Sequence, residues 1–289
     1  MKVIEGKERQ LIIVGFGDYI FDGEYFLHST FKNSINFYNN DKILTIGNKS
    51  IGNGPTNIIF NDISLFKRCK SIIKENKKLF ICDLEFTLQE DKIYNSRLKV
   101  EKFDYKKFYY NLNLFETYLI LISNGKGLSP LLTNNFSDDN SLFYKFILKI
   151  KSGSEKIFNG DLIDGINEIK GVGVGLTPSG DDFIYGFITG VNIIEILYNK
   201  NLDYLKNLIY ESAKGENLIS NNFLFLASRG MFFEKTKKLI YSLFFEDERE
   251  ILERTRDILQ IGETSGVDFS VGLILTLKKG GEDVCKRFN

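Results

Sequence analysis

The chain has 289 residues, 43% hydrophobic and 26% charged, a length and balance that suit one large or two ordinary soluble globular domains. Lys plus Arg and Asp plus Glu both number 38, so the formal charge is zero, which argues against a dedicated nucleic-acid or acidic-membrane surface. A single histidine, His28, excludes Ser-His-Asp triads and histidine-based metal sites unless another residue serves as base.

The opening MKVIEGKERQ has no apolar stretch before its charges, and no window holds about 18 uninterrupted apolar residues. Without a signal peptide or a membrane span, a cytoplasmic protein is expected. From RQLIIVGFG through KILTIGN, TNIIF, KLFICDLEF and SRLKVEKF the chain reads as short strands, punctuated by Gly, Asn and Asp. Such strands suggest a small barrel or sandwich. His28 falls in YFLHSTF, a strand-like setting that points to packing or hydrogen bonding. Cys69, Cys82 and Cys285 form no C-x-x-C pair and are expected as reduced, structural thiols.

From about residue 105 the apolar spacing lengthens to a period near 3.6. NLNLFETYLILIS, SLFYKFILKIK, EKIFNGDLIDGINEI, DFIYGFITGVNIIEILYNK, LDYLKNLIYESAK, NNFLFLASRGMFFEKTKKLIYSLFF and EREILERTRDILQIG all read as helices, with GKGLSPLLTNN as a loop between two of them. The expected fold class is α+β: a small β-barrel- or sandwich-like domain over 1–105, then a mainly α-helical domain over 106–289.

The helical part contains GVGVGLTPSGDDF, Gly171 to Phe183. Its Ser179-Gly180-Asp181-Asp182-Phe183 recurs 86 residues later as Ser265-Gly266-Val267-Asp268-Phe269. Both copies fit S-G-x-D-F-x-x-G, each with a threonine upstream, Thr177 and Thr264, and each opens an apolar helix. Two readings stand. Ser179/Asp182 and Ser265/Asp268 fit capping boxes, with Pro178 in the first turn. Gly180 and Gly266 gain nothing from that, because glycine costs ~1 kcal/mol relative to alanine inside a helix. They fit a helix N-terminus that something approaches closely, and such an end is a ready anion site. Gly173 and Gly175 in the preceding loop would add backbone amides.

The candidate catalytic carboxylates are Asp181, Asp182 and Asp268. The candidate substrate-binding residues are Gly173, Gly175, Thr177, Ser179, Gly180, Ser220, Thr264, Ser265 and Gly266. Ser220 enters through GENLISNNFLFLASRG, a third cap-like start whose Asn217, Asn221 and Asn222 offer amides. Paired carboxylates with hydroxyls would also suit Mg²⁺, but nothing in the spacing demands a metal and no cofactor is assigned. Arg229 in LASRG reads as a surface arginine before it reads as an anion partner. Arg254-Thr255-Arg256 lies in a charged amphipathic helix and reads as a solvated face.

The pattern G-L-T-P-S-G-D-D followed by an apolar helix with spaced glycines resembles the AllH subunit family of oxamate carbamoyltransferase. Ile219 to Gly230, Gly262 to Asp268 and Leu44 to Pro55 supply further segments in the expected order. Val267 departs from the aromatic residue expected there. The resemblance implies a subunit of a multi-protein carbamoyltransferase of anaerobic purine (allantoin) breakdown, with FdrA-like and AllG-like partner subunits. It implies interconversion of oxalurate plus phosphate with oxamate plus carbamoyl phosphate. A non-catalytic scaffold or a sensor of small anions is the alternative.

Overall fold

The computed structural model describes residues 11–133 and 141–280; the opening MKVIEGKERQ and Cys285 lie outside them. The chain divides between Ser96 and Arg97 into two units, one of strands and one of helices, so the fold class is α+β as expected.

The first unit holds β1 (Ile13–Gly17), β2 (Gly23–Thr30), β3 (Ser34–Asn39), β4 (Lys42–Asn48), β5 (Asn57–Phe60), β6 (Ser71–Glu75), β7 (Lys78–Ile81), β8 (Leu84–Thr87) and β9 (Ile93–Tyr94). They form one sheet in the order β8-β7-β6-β2-β3-β4-β5-β1-β9. Neighbours are antiparallel except β4–β5 and β1–β9. Period-2 alternation sends Ile35 and Phe37, Leu44 and Ile46, and Ile58 and Phe60 into one core. The Phe60 ring on β5 lies 4.9 Å from the Phe86 ring on β8. Those strands stand seventh and first in the sheet, so it curls back around an aromatic centre, which gives the barrel-like form.

Two strand readings change. KLFICDLEF breaks into β7 and β8 at Cys82 and Asp83, whose φ values of 45° and 63° make the two-residue turn of a tight hairpin. SRLKVEKF forms no strand and contributes only the bridge from Arg97 to Met231. Cys82 is bonded to Cys69, with Cα atoms 5.7 Å apart, which corrects the expectation of reduced thiols at both positions. Their 13-residue separation carries no motif. The pairing of Ile72 with Ile81 across β6 and β7 brings the flanking cysteines together. His28 lies exposed on β2, hydrogen-bonded to Ser29 and edge-on to Tyr38.

The second unit holds α1 (Tyr105–Ser123), α2 (Pro130–Thr133), α3 (Leu142–Asn159), α4 (Leu162–Ile169), α5 (Ser179–Tyr198), α6 (Asp203–Ala213), α7 (Leu218–Ser228), α8 (Glu234–Phe245), α9 (Glu248–Leu259) and α10 (Ser265–Leu275). Two runs read as continuous are each split near a glycine with positive φ, Gly160 at 110° and Gly230 at 65°. Among the described residues no helix is long and apolar enough to cross a membrane. The unit is built around α5 and α10. Of the 20 residues of α5, 17 are buried, as expected of a helix that is apolar on all sides.

Small residues let α5 and α10 touch backbone to backbone. A Cβ on Gly186 would stand 2.0 Å from the Phe269 carbonyl oxygen, and one on Gly272 would stand 2.1 Å from that of Phe183. Phe183/Phe269 and Gly186/Gly272 are equivalent positions of the sequence repeat, so the contact is reciprocal: each copy docks its glycine on the other copy's phenylalanine. The repeat is therefore a structural pseudo-two-fold, the intramolecular counterpart of an isologous interface.

Candidate functional site

Both helix starts are one residue off the register that a capping box needs. The N-cap position of α5 is Pro178, which has no side-chain acceptor, and Ser179 is already helical. At α10 the N-cap position is Thr264 and Ser265 is helical. Neither helix has a side-chain cap, which corrects the capping reading of Ser179, Asp182, Ser265 and Asp268. In α5 and α10 the first-turn N–H groups of the glycines go to the preceding loops: Gly180 donates to the Val172 carbonyl at 2.8 Å and Gly266 to that of Ile261 at 3.0 Å.

The glycines have a packing cause. A Cβ on Gly180 would stand 2.0 Å from the carbonyl oxygen of Ile169 at the end of α4, and one on Gly266 would stand 2.0 Å from that of Ile258 in α9. The group that approaches each closely is the protein's own backbone. Gly180→Ala is accordingly expected to be destabilising.

The aspartates do three different things. Asp181 accepts the Gly171 N–H at 2.7 Å and so latches the glycine loop to α5. Positive φ at Gly171, Gly173 and Gly175, 71°, 125° and 110°, bends that loop back until a Cβ on Gly173 would stand 2.6 Å from the Ser179 nitrogen. Asp182 accepts the Thr177 hydroxyl at 3.0 Å, and the Thr177 hydroxyl stands 3.2 Å from that of Ser265. The start of α5 therefore meets the start of α10 directly. Burial pushes the Asp182 carboxyl well above the usual carboxylate range; Ser265 and Thr177 counteract by hydrogen bonding, and the charge of Asp268 adds to the rise.

Asp268 is fully buried. Its Oδ1 accepts the Leu128 N–H at 2.7 Å, and burial raises its pKa to about 6 against hydrogen bonds from Ser179, Leu128 and Thr264. Its Oδ2 has no hydrogen-bond partner of sound geometry, although the Ser179 and Thr264 hydroxyls are near enough to pull the pKa down. Oδ2 is thus able to accept a further hydrogen bond. Each serine stands near the other copy's aspartate, Ser265 by Asp182 and Ser179 by Asp268.

The start of α7 joins them. Asn217 accepts from the N–H groups of Ile219 and Ser220 and donates to the Leu176 carbonyl at 2.7 Å. Ser220 is buried and its hydroxyl has no partner. One turn below these starts, Tyr185 of α5 packs between Phe269 of α10 at 4.9 Å and Phe223 of α7 at 5.6 Å. Burial pushes the Tyr185 hydroxyl up to about 12, so it stays protonated. Three helix N-termini thus converge over an aromatic floor, and nearly all the residues singled out in the sequence meet there.

Two contributors were not singled out. The loop after α1, read only as a connection, brings in the Leu128 N–H. Gly127 has φ 55° and lies where a Cβ would stand 2.4 Å from Asp268 Oδ1 and about 3.1 Å from Val267. The valine that replaces the expected aromatic residue is therefore a packing wall for that loop. Tyr185 carried no signal beyond a tyrosine one turn into an apolar helix. Arg229 lies exposed after α7, at the end opposite the site, with its guanidinium over Phe225. Arg254 pairs with Glu250, Glu253 and Asp257 along α9, while Thr255 is buried, so only Arg256 of the Arg254-Thr255-Arg256 run lies on an exposed face. Among the described residues no group of three or more His, Cys, Asp or Glu could hold a metal ion.

No curated protein and no solved structure matches the chain. One family does, over residues 169–277, which run from the last residue of α4 through both helix starts and the segment between them to two residues beyond α10. The resemblance carried by G-L-T-P-S-G-D-D is borne out over that stretch: the matching family is oxamate carbamoyltransferase subunit AllH.

Proposed function

We propose that this chain is a subunit of a multi-protein carbamoyltransferase that interconverts oxalurate plus phosphate with oxamate plus carbamoyl phosphate. It would serve anaerobic purine or related ureido-acid catabolism, in the cytoplasm, with FdrA-like and AllG-like partners and no cofactor. The observation that carries this reading is the meeting of two uncapped helix starts at buried carboxylates whose pKa values are raised. Helix N-termini favour anionic groups. The raised pKa of Asp182 weakens the repulsion that its carboxyl would offer an anion. Asp181 is occupied by Gly171 and is in this reading a positioning residue. The unpartnered Asp268 Oδ2 suits an NH₂ group, and the Ser220 hydroxyl suits a carbonyl.

Carbamoyl transfer asks for little more. Holding the attacking oxygen against the carbamoyl carbon, and placing donors where charge develops on the carbonyl oxygen, supply much of the rate. A chain without a catalytic histidine is compatible with that chemistry.

The test is co-expression with the FdrA-like and AllG-like partners, followed by carbamoyl phosphate formation from oxalurate and phosphate. The complex should turn over, and the chain alone should show little or no activity. Asp182→Asn and Asp268→Asn should each lower kcat of the complex by about two orders of magnitude, the scale of a lost polar contact in the transition state. Full activity of both variants within the complex would make this chain a scaffold.

A further inference from the structure

The two oxygens of Asp268 are not used alike. Oδ1 accepts the Leu128 N–H at 2.7 Å, which holds the fully buried carboxylate in place. Oδ2 is buried without a partner. A second buried group without a partner, the Ser220 hydroxyl, lies in the first turn of α7. That helix start is tied through Asn217 to Leu176, in the segment that leads into α5. Buried polar groups are ordinarily satisfied. Two that are not, where three helix starts converge, mark a place for a ligand that forms hydrogen bonds.

The surroundings of Oδ2 restrict what it can accept from. A carboxylate oxygen is an acceptor only, so its partner must be a donor. The donor could be a cation or a neutral N–H or O–H. The starts of α5 and α10 both lack a side-chain cap, and each is the positive end of a helix dipole, which disfavours a cation and favours an anion. The raised pKa of Asp182 reduces the negative charge that would oppose this. An acceptor in such a setting suits a neutral N–H donor carried on a small anion.

We propose that Asp268 is the specificity-determining residue of the site: its Oδ2 accepts an N–H of the carboxamide nitrogen of a small carboxylate and so rejects isosteres that carry a methyl group there. This rests on the carbamoyltransferase reading and names the atom by which the acid is selected. The nitrogen in question carries one hydrogen in the ureido acid and two in the amide. One fixed acceptor therefore serves both sides of the transfer without moving. A methyl group in the same place would leave Oδ2 buried and unsatisfied, and sites built to hydrogen-bond a ligand N–H discriminate strongly against analogues that lack it. Leu128 is the positioning residue, because its N–H occupies Oδ1 and leaves only Oδ2 for the ligand.

Calorimetry with oxamate and with pyruvate, which has the same charge and shape with CH₃ in place of NH₂, tests this on the full chain and on the co-expressed complex. At about pH 8, above the Asp268 pKa of about 6, oxamate should bind at least about tenfold more tightly than pyruvate, the scale of one hydrogen bond to a charged group. Asp268→Asn keeps the Leu128 N–H on its amide oxygen and turns an NH₂ toward the ligand. It should weaken oxamate until the two affinities lie within about threefold. Equal binding of the two anions to the wild type, a preference that survives in Asp268→Asn, or failure of both anions to bind chain and complex alike would each overturn the assignment. Phosphorolysis of oxalurate by the same complex is followed in parallel. Turnover without discrimination removes the role of Asp268 and leaves the carbamoyltransferase reading standing; discrimination without turnover removes that reading and leaves a carboxamide-selective site. The wild-type ratio needs no variant and so does not depend on how the substitution folds.

Discussion

The two copies of S-G-x-D-F-x-x-G share their packing and differ in their polar chemistry. In both, glycines notch one helix onto the backbone of another, and a Cβ at either first glycine would stand 2.0 Å from a carbonyl oxygen. Their aspartates diverge. Asp268 is tied to Leu128 from a loop over a hundred residues away in sequence, whereas Asp182 is tied to its neighbour Thr177. The first copy has Asp181 as a loop latch; the second has Val267 against Gly127 at the same position. A repeat retains what the helix–helix contact needs and leaves the polar groups beside it free to specialise.

The sharpest test of that divergence is pH. Asp268 has a folded-state pKa of about 6, raised from 3.8, so its contribution is present at low pH and is lost as pH rises through about 6. The shift corresponds to about 3 kcal/mol at most between pH 4 and 7. Asp268→Asn keeps the Leu128 contact through its amide oxygen and removes the titration. Relative to wild type it should gain stability by about that amount over this range in denaturant melts. A difference between the two proteins that does not change with pH would refute the raised pKa.

The shared packing is tested next. Gly180→Ala and Gly266→Ala should each cost ~1–3 kcal/mol by overpacking, read as a drop of several degrees in Tm. The two losses should agree within about 1 kcal/mol if the notches are equivalent. A normal Tm for either variant would show that its helix pair can move apart freely, and the equivalence would fail.

A smaller effect separates the copies at Asp181 and Val267. Asp181→Ala leaves the Gly171 N–H without its acceptor and should cost about 1–2 kcal/mol. It should also raise proteolytic cleavage between Gly171 and Thr177. Val267→Ala should cost a similar amount through lost packing with no change at that loop. Equal protease sensitivity in the two variants would remove the latch.

The sequence made the repeat, its helices and most of the converging residues visible, because glycine, threonine and aspartate at fixed spacing are local signals. What it misassigned was the partner of each group. Ser179 and Asp182 look like a capping box, but Pro178 takes the N-cap position and shifts the pair one residue into the helix, so that Asp182 turns to Thr177. Gly180 looks like room for a ligand because its close neighbour, the Ile169 carbonyl, is 11 residues upstream and carries no motif. Leu128 has no polar side chain and enters through its backbone, which composition never shows. In the strand unit, Cys82 with positive φ broke a run that reads as one strand, and only the β6–β7 register reveals Cys69 as its partner.

The reciprocal glycine notches between α5 and α10 also restrict how the site can breathe. Each notch accepts one particular carbonyl, Phe269 for Gly186 and Phe183 for Gly272, so sliding by a single residue would drive side chains into backbone. Shear between these helices is thereby blocked, and motion at the site falls to hinge-like rotation in the segments that precede them. The glycine loop is held at its start by Asp181 on Gly171 and by the Gly180 N–H on the Val172 carbonyl, which leaves residues 174 and 175 as the stretch whose backbone can turn without disturbing the interlocked pair.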